Sequence, residues 1–237
     1  MRIAMWSVPR SLSTAMMYAF GNRPDFHVVD EPFYGPYLRR TWLPHPMSYE
    51  IRRDRVRTAK EVARSLSGPI PDGKAHALHK HMCPHMIRGI PREFMKDCTH
   101  VFLIRDPARV ISSFAKGLET PTEHDLGYEA QAELFDHVVK LGLQPHVICM
   151  GDILEDPEGR LTDLCDAIGL DFRPDMISWP SGGHPEEGIW ASYWYEDAHR
   201  WTGFPDPEGA VPALEGRNAD LCRKVMPHYE KLLERAM

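Results

Sequence analysis

Short apolar runs alternate with helical periodicity along most of the chain. The runs at Arg2–Val8, His27–Asp30, Ala75–Lys80, His100–Ile104 and Pro145–Met150 have strand length and end at polar or turn residues. Between them, apolar positions recur at helical spacing. Val110, Ile111 and Phe114 share one face behind Asp106-Pro107, a capping residue followed by the proline that suits a first helical turn, with Gly117 past the end. Asp156-Pro157 repeats that signal ahead of Leu161, Leu164, Cys165 and Ile168, and Gly169 closes the helix. Leu134, Val138 and Leu141 stripe another helix that ends near Gly142. A last one is expected from Arg217 to Met237, kinked or restarted by Pro227. This alternation predicts an α/β fold in three layers, a central and mostly parallel sheet flanked by helices.

Two stretches break the rhythm. Residues 35–71 carry a basic helical pattern from Ile51 to Leu66 and are expected to form a flap over one edge of the sheet. Residues 171–216 are rich in Pro and Gly and look irregular, yet hold Trp179, Trp190, Tyr193, Trp194, Tyr195, Trp201 and Phe204. Such rings either cover a ligand or pack into the core. Both excursions are read as parts of one domain spanning residues 1–237.

Composition narrows the class. With 43% hydrophobic and 26% charged residues in 237, the chain is an ordinary globular one, neither disordered nor collagen-like. A formal net charge of −6 gives no general field for a polyanion, so nucleic acid is not an expected partner. Any phosphate site must be a local cluster. The five cysteines Cys83, Cys98, Cys149, Cys165 and Cys222 form no CxxC pair, which fits reduced thiols in a cytoplasmic protein. No apolar run nears the ~18 residues that cross a membrane. The first run leads straight into a motif, which leaves no room for a signal peptide.

That motif is Ser7-Val8-Pro9-Arg10-Ser11-Leu12-Ser13-Thr14, ahead of the helical run Ala15–Phe20. Helix-start N–H groups, the helix dipole and the Arg10 fork suit an anion. The loop is P-loop-like in position but lacks GxxxxGK[ST]: no Lys follows, and Leu12 stands where a Gly would relax the backbone. The plainer reading is a βα turn with Ser caps. A second cluster, Arg105-Asp106-Pro107 with Ser113 further along, leaves the fourth run in the same way. Open α/β sheets bind ligands at such strand ends.

Together, Pro-Arg-Ser-x-Ser-Thr and Arg-Asp-Pro-x-x-x-x-x-Ser resemble the two nucleotide-binding signatures of sulfotransferases, which use 3′-phosphoadenosine 5′-phosphosulfate (PAPS). The resemblance implies that Pro9, Arg10, Ser11, Leu12, Ser13 and Thr14 hold the 5′-phosphosulfate and that Arg105 and Ser113 hold the 3′-phosphate. Met150–Pro157 is similar to the family's Tyr-Glu-Asp-Leu strand end, with Met150-Gly151 in place of Tyr-Glu. The match covers roughly residues 2–34 and 76–172. It is nearest the soluble bacterial branch whose members begin Trp-Ser-x-Pro-Arg and carry Asp-Glu-Pro-Phe-Tyr, here Asp30 to Tyr34. Some of that branch are labelled aminotransferase-like, but no pyridoxal-phosphate lysine context is visible. The family's Arg-Lys-Gly loop, which completes the 3′-phosphate site, is missing.

Transfer of a sulfonate needs a base at the acceptor hydroxyl and cationic donors on the moving charge. Glu31, at the end of the second run, is the first choice, at a spacing similar to that in the tyrosylprotein branch. His81 is the rival, because His79-Lys80-His81 resembles the Lys-x-His segment of the cytosolic enzymes. Neighbouring strand residues face opposite ways, so only one of Lys80 and His81 points at the site. If it is Lys80, that residue neutralises the sulfonate and Glu31 is the base; if it is His81, Glu31 and His81 share the roles. No zinc-type spacing appears among His76, His79, His81 and His85, and no metal is expected. The expected acceptor is a small-molecule or peptide-like hydroxyl. A nucleotide-dependent kinase with a degenerate P-loop, or a non-catalytic nucleotide-binding protein of the same fold, are the alternatives.

Overall fold

The computed structural model describes residues 1–54, 57–115 and 121–237; Gly117, expected to end the helix that starts at Pro107, lies outside them. All five apolar runs are strands: β1 Arg2–Ser7, β2 Phe26–Asp30, β3 His76–Met82, β4 Thr99–Ile104 and β5 Pro145–Cys149. They form one parallel sheet in the order β2-β3-β1-β4-β5. β3 runs past Lys80 to Met82, and Met150 opens a short helix, Met150–Glu155, where a strand end was expected.

Register decides which side chains share a face. Val28 pairs with Leu78 and Asp30 with Lys80, while Ile3 and Met5 of β1 pair with the same two β3 residues. That face packs on helix Ser13–Gly21, in which every residue from Ser13 to Phe20 is buried, and on helix Pro157–Ile168. A helix apolar all round has to be enclosed on every side. The opposite face presents Ala4, Trp6, Phe102 and Ile104 to a core shared with helices Pro107–Ala115, Tyr128–Lys140 and Gly216–Leu233, and carries His79 and His81 on β3.

The helix starts behave as their residues dictate. Asp106 Oδ1 accepts from the N–H groups of Ala108 (2.8 Å) and Arg109 (3.3 Å), and Asp156 Oδ1 from that of Gly159 (3.0 Å). Helix Gly216–Leu233 runs unbroken through Pro227, against expectation. Leu221 and Val225 before the proline and Tyr229 and Leu232 after it are all buried, and that shared stripe outweighs the roughly 3 kcal/mol a mid-helix proline costs.

The stretch 35–71 does not hold one helix from Ile51 to Leu66. It contains Tyr34–Thr41, Ser48–Arg53 and Ala59–Ser67, the last restarted by a capping box. Thr58 Oγ1 accepts from the Glu61 N–H at 3.2 Å while the Glu61 carboxylate accepts from the Thr58 N–H at 2.7 Å. These helices lie along β2, the edge strand, and with it enclose a cavity of about 250 Å³ lined by Val29, Arg39, Leu66 and His79 among others. The stretch 171–216 is irregular, as expected, apart from three short turns of helix. Asn22 Nδ2 ties it down by donating to the carbonyls of Asp175 (2.7 Å) and Ser178 (2.8 Å).

Candidate active site

The loop between β1 and its helix holds two non-glycine residues in left-handed conformation, Arg10 (φ 61°) and Leu12 (φ 60°). L-residues take that conformation at a cost of about 1–2 kcal/mol each. Such strain concentrates at sites that need a set backbone shape. The serines do not act as caps. Ser11 Oγ donates to the Val8 carbonyl at 2.7 Å, and no side chain caps the first turn of helix Ser13–Gly21. The helix N-terminus therefore keeps N–H groups for an anion. Ser11, Ser13 and Thr14 are buried, whereas Arg10 is exposed.

Arg105 leaves β4, the strand beside β1, so the two clusters open at one end of neighbouring strands. They touch, since Arg105 Nη1 donates to the Arg10 carbonyl. Tyr128 fixes the turn from behind by donating to the Arg105 carbonyl at 2.7 Å. Ser113 is half-buried in the second turn of helix Pro107–Ala115. The Arg105 guanidinium is already paired, with Glu208, which also faces Arg109 at 3.4 Å.

On the other side of β1, the ends of β2 and β3 carry a buried ionic cluster. Lys80 Nζ donates to Asp30 Oδ1 (2.9 Å), Glu31 Oε1 (2.7 Å) and the Tyr195 hydroxyl (2.6 Å). The Tyr195 hydroxyl in turn reaches Glu31 Oε1 at 2.9 Å and Asp30 Oδ1 at 3.0 Å. Asp30 Oδ2 accepts from Trp190 Nε1 (2.9 Å) and the Gly188 N–H (3.3 Å). Burial favours a neutral Lys80, but the Asp30 and Glu31 carboxylates outweigh it and hold the ammonium above its ordinary pKa. Burial raises the Asp30 carboxyl, opposed by Lys80 and helped by Glu31. It also raises the Tyr195 phenol, with both carboxylates adding to the effect, so Tyr195 stays a donor. Glu31 has φ 36°, a third strained non-glycine residue at this end of the sheet.

His81 is not part of that cluster. It stacks on Trp6 (centroids 4.4 Å apart) and packs on Phe33 and Phe94, on the opposite face from Lys80. Burial, with His79 and His100 nearby, holds its pKa far below the ordinary imidazole value. This corrects the rival base assignment: alternation along β3 turns Lys80 toward Glu31 and His81 into an apolar core. The histidine that does approach Glu31 is His85, with Nδ1 4.0 Å from Glu31 Oε2 and its ring stacked on Tyr34 at 4.6 Å. Sequence reasoning passed over His85 because it lies beyond Pro84, and over Tyr195 because that residue is 115 positions from Lys80. The Pro84–His85 turn and its strand end are the only local signals, and they are weak.

Among the described residues, no three His, Cys, Asp or Glu side chains converge to hold a metal ion, and no helix is long and apolar enough to cross a membrane.

The chain matches the family model for a sulfotransferase domain over residues 1–236. It is 33% identical over 230 and 233 residues to two Arabidopsis thaliana proteins, branched-chain-amino-acid aminotransferase-like protein 2 and protein 1. Each match covers 97% of this chain, which spans only 41% of the length of each relative. The sulfotransferase domain from the curacin biosynthetic pathway shares its fold at TM-score 0.55 and 15% identity, over 96% of both chains. A sulfotransferase from Alicyclobacillus acidocaldarius does so at TM-score 0.55 and 12% identity, over 99% of this chain and 96% of that one. With a strained loop after β1, Arg105 reaching it from the end of β4 and a family match across the whole sheet, the chain belongs to the sulfotransferase family.

Proposed function

We propose that the chain moves a sulfonate group from PAPS to a hydroxyl of a small-molecule or peptide-like acceptor. The observation that carries this reading is the contact of Arg105 with the Arg10 carbonyl, which joins two phosphate-seeking segments at the strand ends beside Lys80 and Glu31. PAPS supplies a sulfonate on a phosphate leaving group. Arg10 and the free N–H groups of residues 11–14 grip the 5′-phosphosulfate, while Arg105 and Ser113 take the 3′-phosphate. Lys80 spends its three N–H donors on Asp30, Glu31 and Tyr195, and meets the charge on the transferring group only by giving one of them up. Glu31 accepts the acceptor's proton and is positioned by Lys80, Tyr195 and His85.

A kinase reading gains nothing from this geometry, since the loop has no lysine for a triphosphate. The test begins with adenosine 3′,5′-bisphosphate, which should raise the melting temperature where ATP–Mg²⁺ does not. Arg105→Ala should weaken the bisphosphate by about 1.5–3 kcal/mol. Labelled sulfonate from PAPS should pass to members of a panel of phenols and alcohols. Glu31→Gln should slow that transfer by about 10²–10⁴-fold with nucleotide binding intact. A shift with ATP–Mg²⁺ alone would overturn the reading; a Glu31→Gln variant at full rate would overturn the base.

A further inference from the structure

Glu208 stands outside the strand ends and helices, in the irregular stretch ahead of helix Gly216–Leu233. Its carboxylate is nevertheless drawn into the Arg105 anchor. Oε1 accepts from Arg105 Nε at 3.1 Å and from Nη2 of the same guanidinium, and Oε2 lies 3.4 Å from Arg109 Nε. The next residue adds a tie, as the Gly209 carbonyl accepts from Arg109 Nη2 at 2.7 Å. Side-chain exposures of 12% for Arg105, 18% for Arg109 and 15% for Glu208 keep these pairs partly sheltered from solvent screening. Glu208 Oε2 is buried without a hydrogen-bond partner, so the carboxylate is paired yet incompletely satisfied.

Two guanidinium forks converging on one carboxylate form a seat that a phosphate would fill better, with more charge and more acceptor oxygens. We propose that Glu208 is an internal occupant of the seat for the nucleotide's 3′-phosphate, an autoinhibitory contact that the phosphate must displace. This rests on the nucleotide reading above. A 3′-hydroxyl has no charge with which to compete for Arg105. A dianionic phosphate displaces the carboxylate, and the fraction of molecules with an open seat scales its apparent affinity. Glu208 thus holds down the site's affinity for a 3′-phosphate and leaves a ligand without one unaffected.

The experiment compares the full chain with Glu208→Gln, which keeps the side chain's size and removes its charge. Binding of adenosine 3′,5′-bisphosphate and of adenosine 5′-monophosphate is measured by calorimetry, with circular dichroism to verify folding. The expected result is about tenfold tighter bisphosphate binding in the variant, with the monophosphate changed less than about twofold. Bisphosphate affinity that is equal or weaker in the variant overturns the proposal, and so does an equal gain for both ligands. If neither folded protein binds the bisphosphate, the nucleotide reading itself falls and takes this proposal with it.

Discussion

Lys80→Met should destabilise the folded chain by about 3–5 kcal/mol, the usual cost of removing one partner from a buried ion pair. The Lys80, Asp30 and Glu31 side chains are only 1%, 0% and 9% exposed, so water cannot replace the ammonium. Two carboxylates would then face each other with only the Tyr195 hydroxyl, the Trp190 indole N–H and the Gly188 N–H to serve them. The double variant Lys80→Met/Asp30→Asn should recover part of the loss, because it removes one of the two uncompensated charges. Urea unfolding of the three proteins checks this. A single-variant loss below about 1 kcal/mol, the level of an exposed pair, would mean that the cluster is wet and open.

The second large effect concerns acid. Burial is the first cause that holds His79 near pKa 3 and His100 near pKa 4, and it also pushes His81 and His85 far below the ordinary value. The neutral form of His100 has a structural use, since its Nδ1 accepts from Trp6 Nε1 at 2.9 Å while Nε2 faces the Met95 carbonyl at 2.8 Å. In the unfolded chain each imidazole takes a proton near pH 6.5. Between that pH and the depressed folded values the unfolded state binds more protons, so stability rises with pH. Full stability is present above about pH 6.5 and drains away as the pH falls. From pH 7.5 to 5.5 each histidine removes about 1.4 kcal/mol, or roughly 5 kcal/mol for four, against a typical total of 5–15 kcal/mol. The raised Asp30 carboxyl has the opposite sign and offsets part of this fall. Chemical denaturation at pH 7.5, 6.5 and 5.5 should show this fall; a flat profile would refute it.

The strands and the helix starts were legible because they are local. β1 and its loop are adjacent in sequence, and Asp106-Pro107 and Asp156-Pro157 announce helices through their own side chains. The flap was misjudged where Thr58 and Glu61 cap a new helix, since a charged surface pattern hid the break. The ionic cluster was half legible. Alternation says that Lys80 and His81 face opposite ways but not which way, and only the pairing of Lys80 with Met5 and Asp30 settles it. Tyr195 and Glu208 had no local mark at all. Each meets its cationic partner across more than a hundred residues, a contact that depends on how an irregular segment is draped over the sheet. Several of the 13 histidines serve as uncharged core rings rather than as ligands or bases.

The sheet order has a consequence for how the molecule is made. Of the five strands β1 is made first, yet its neighbours are β3 and β4. β3 is complete only at residue 82 and β4 only at residue 104, so β1 waits with at least one edge bare while about a hundred residues are synthesised. At 5–20 residues per second that interval lasts roughly 5–20 s. Parallel pairings of such sequence separation also form slowly once their partners arrive. The nascent chain is therefore at its most aggregation-prone before its centre closes, and a fragment that stops short of β4 would keep that hazard permanently.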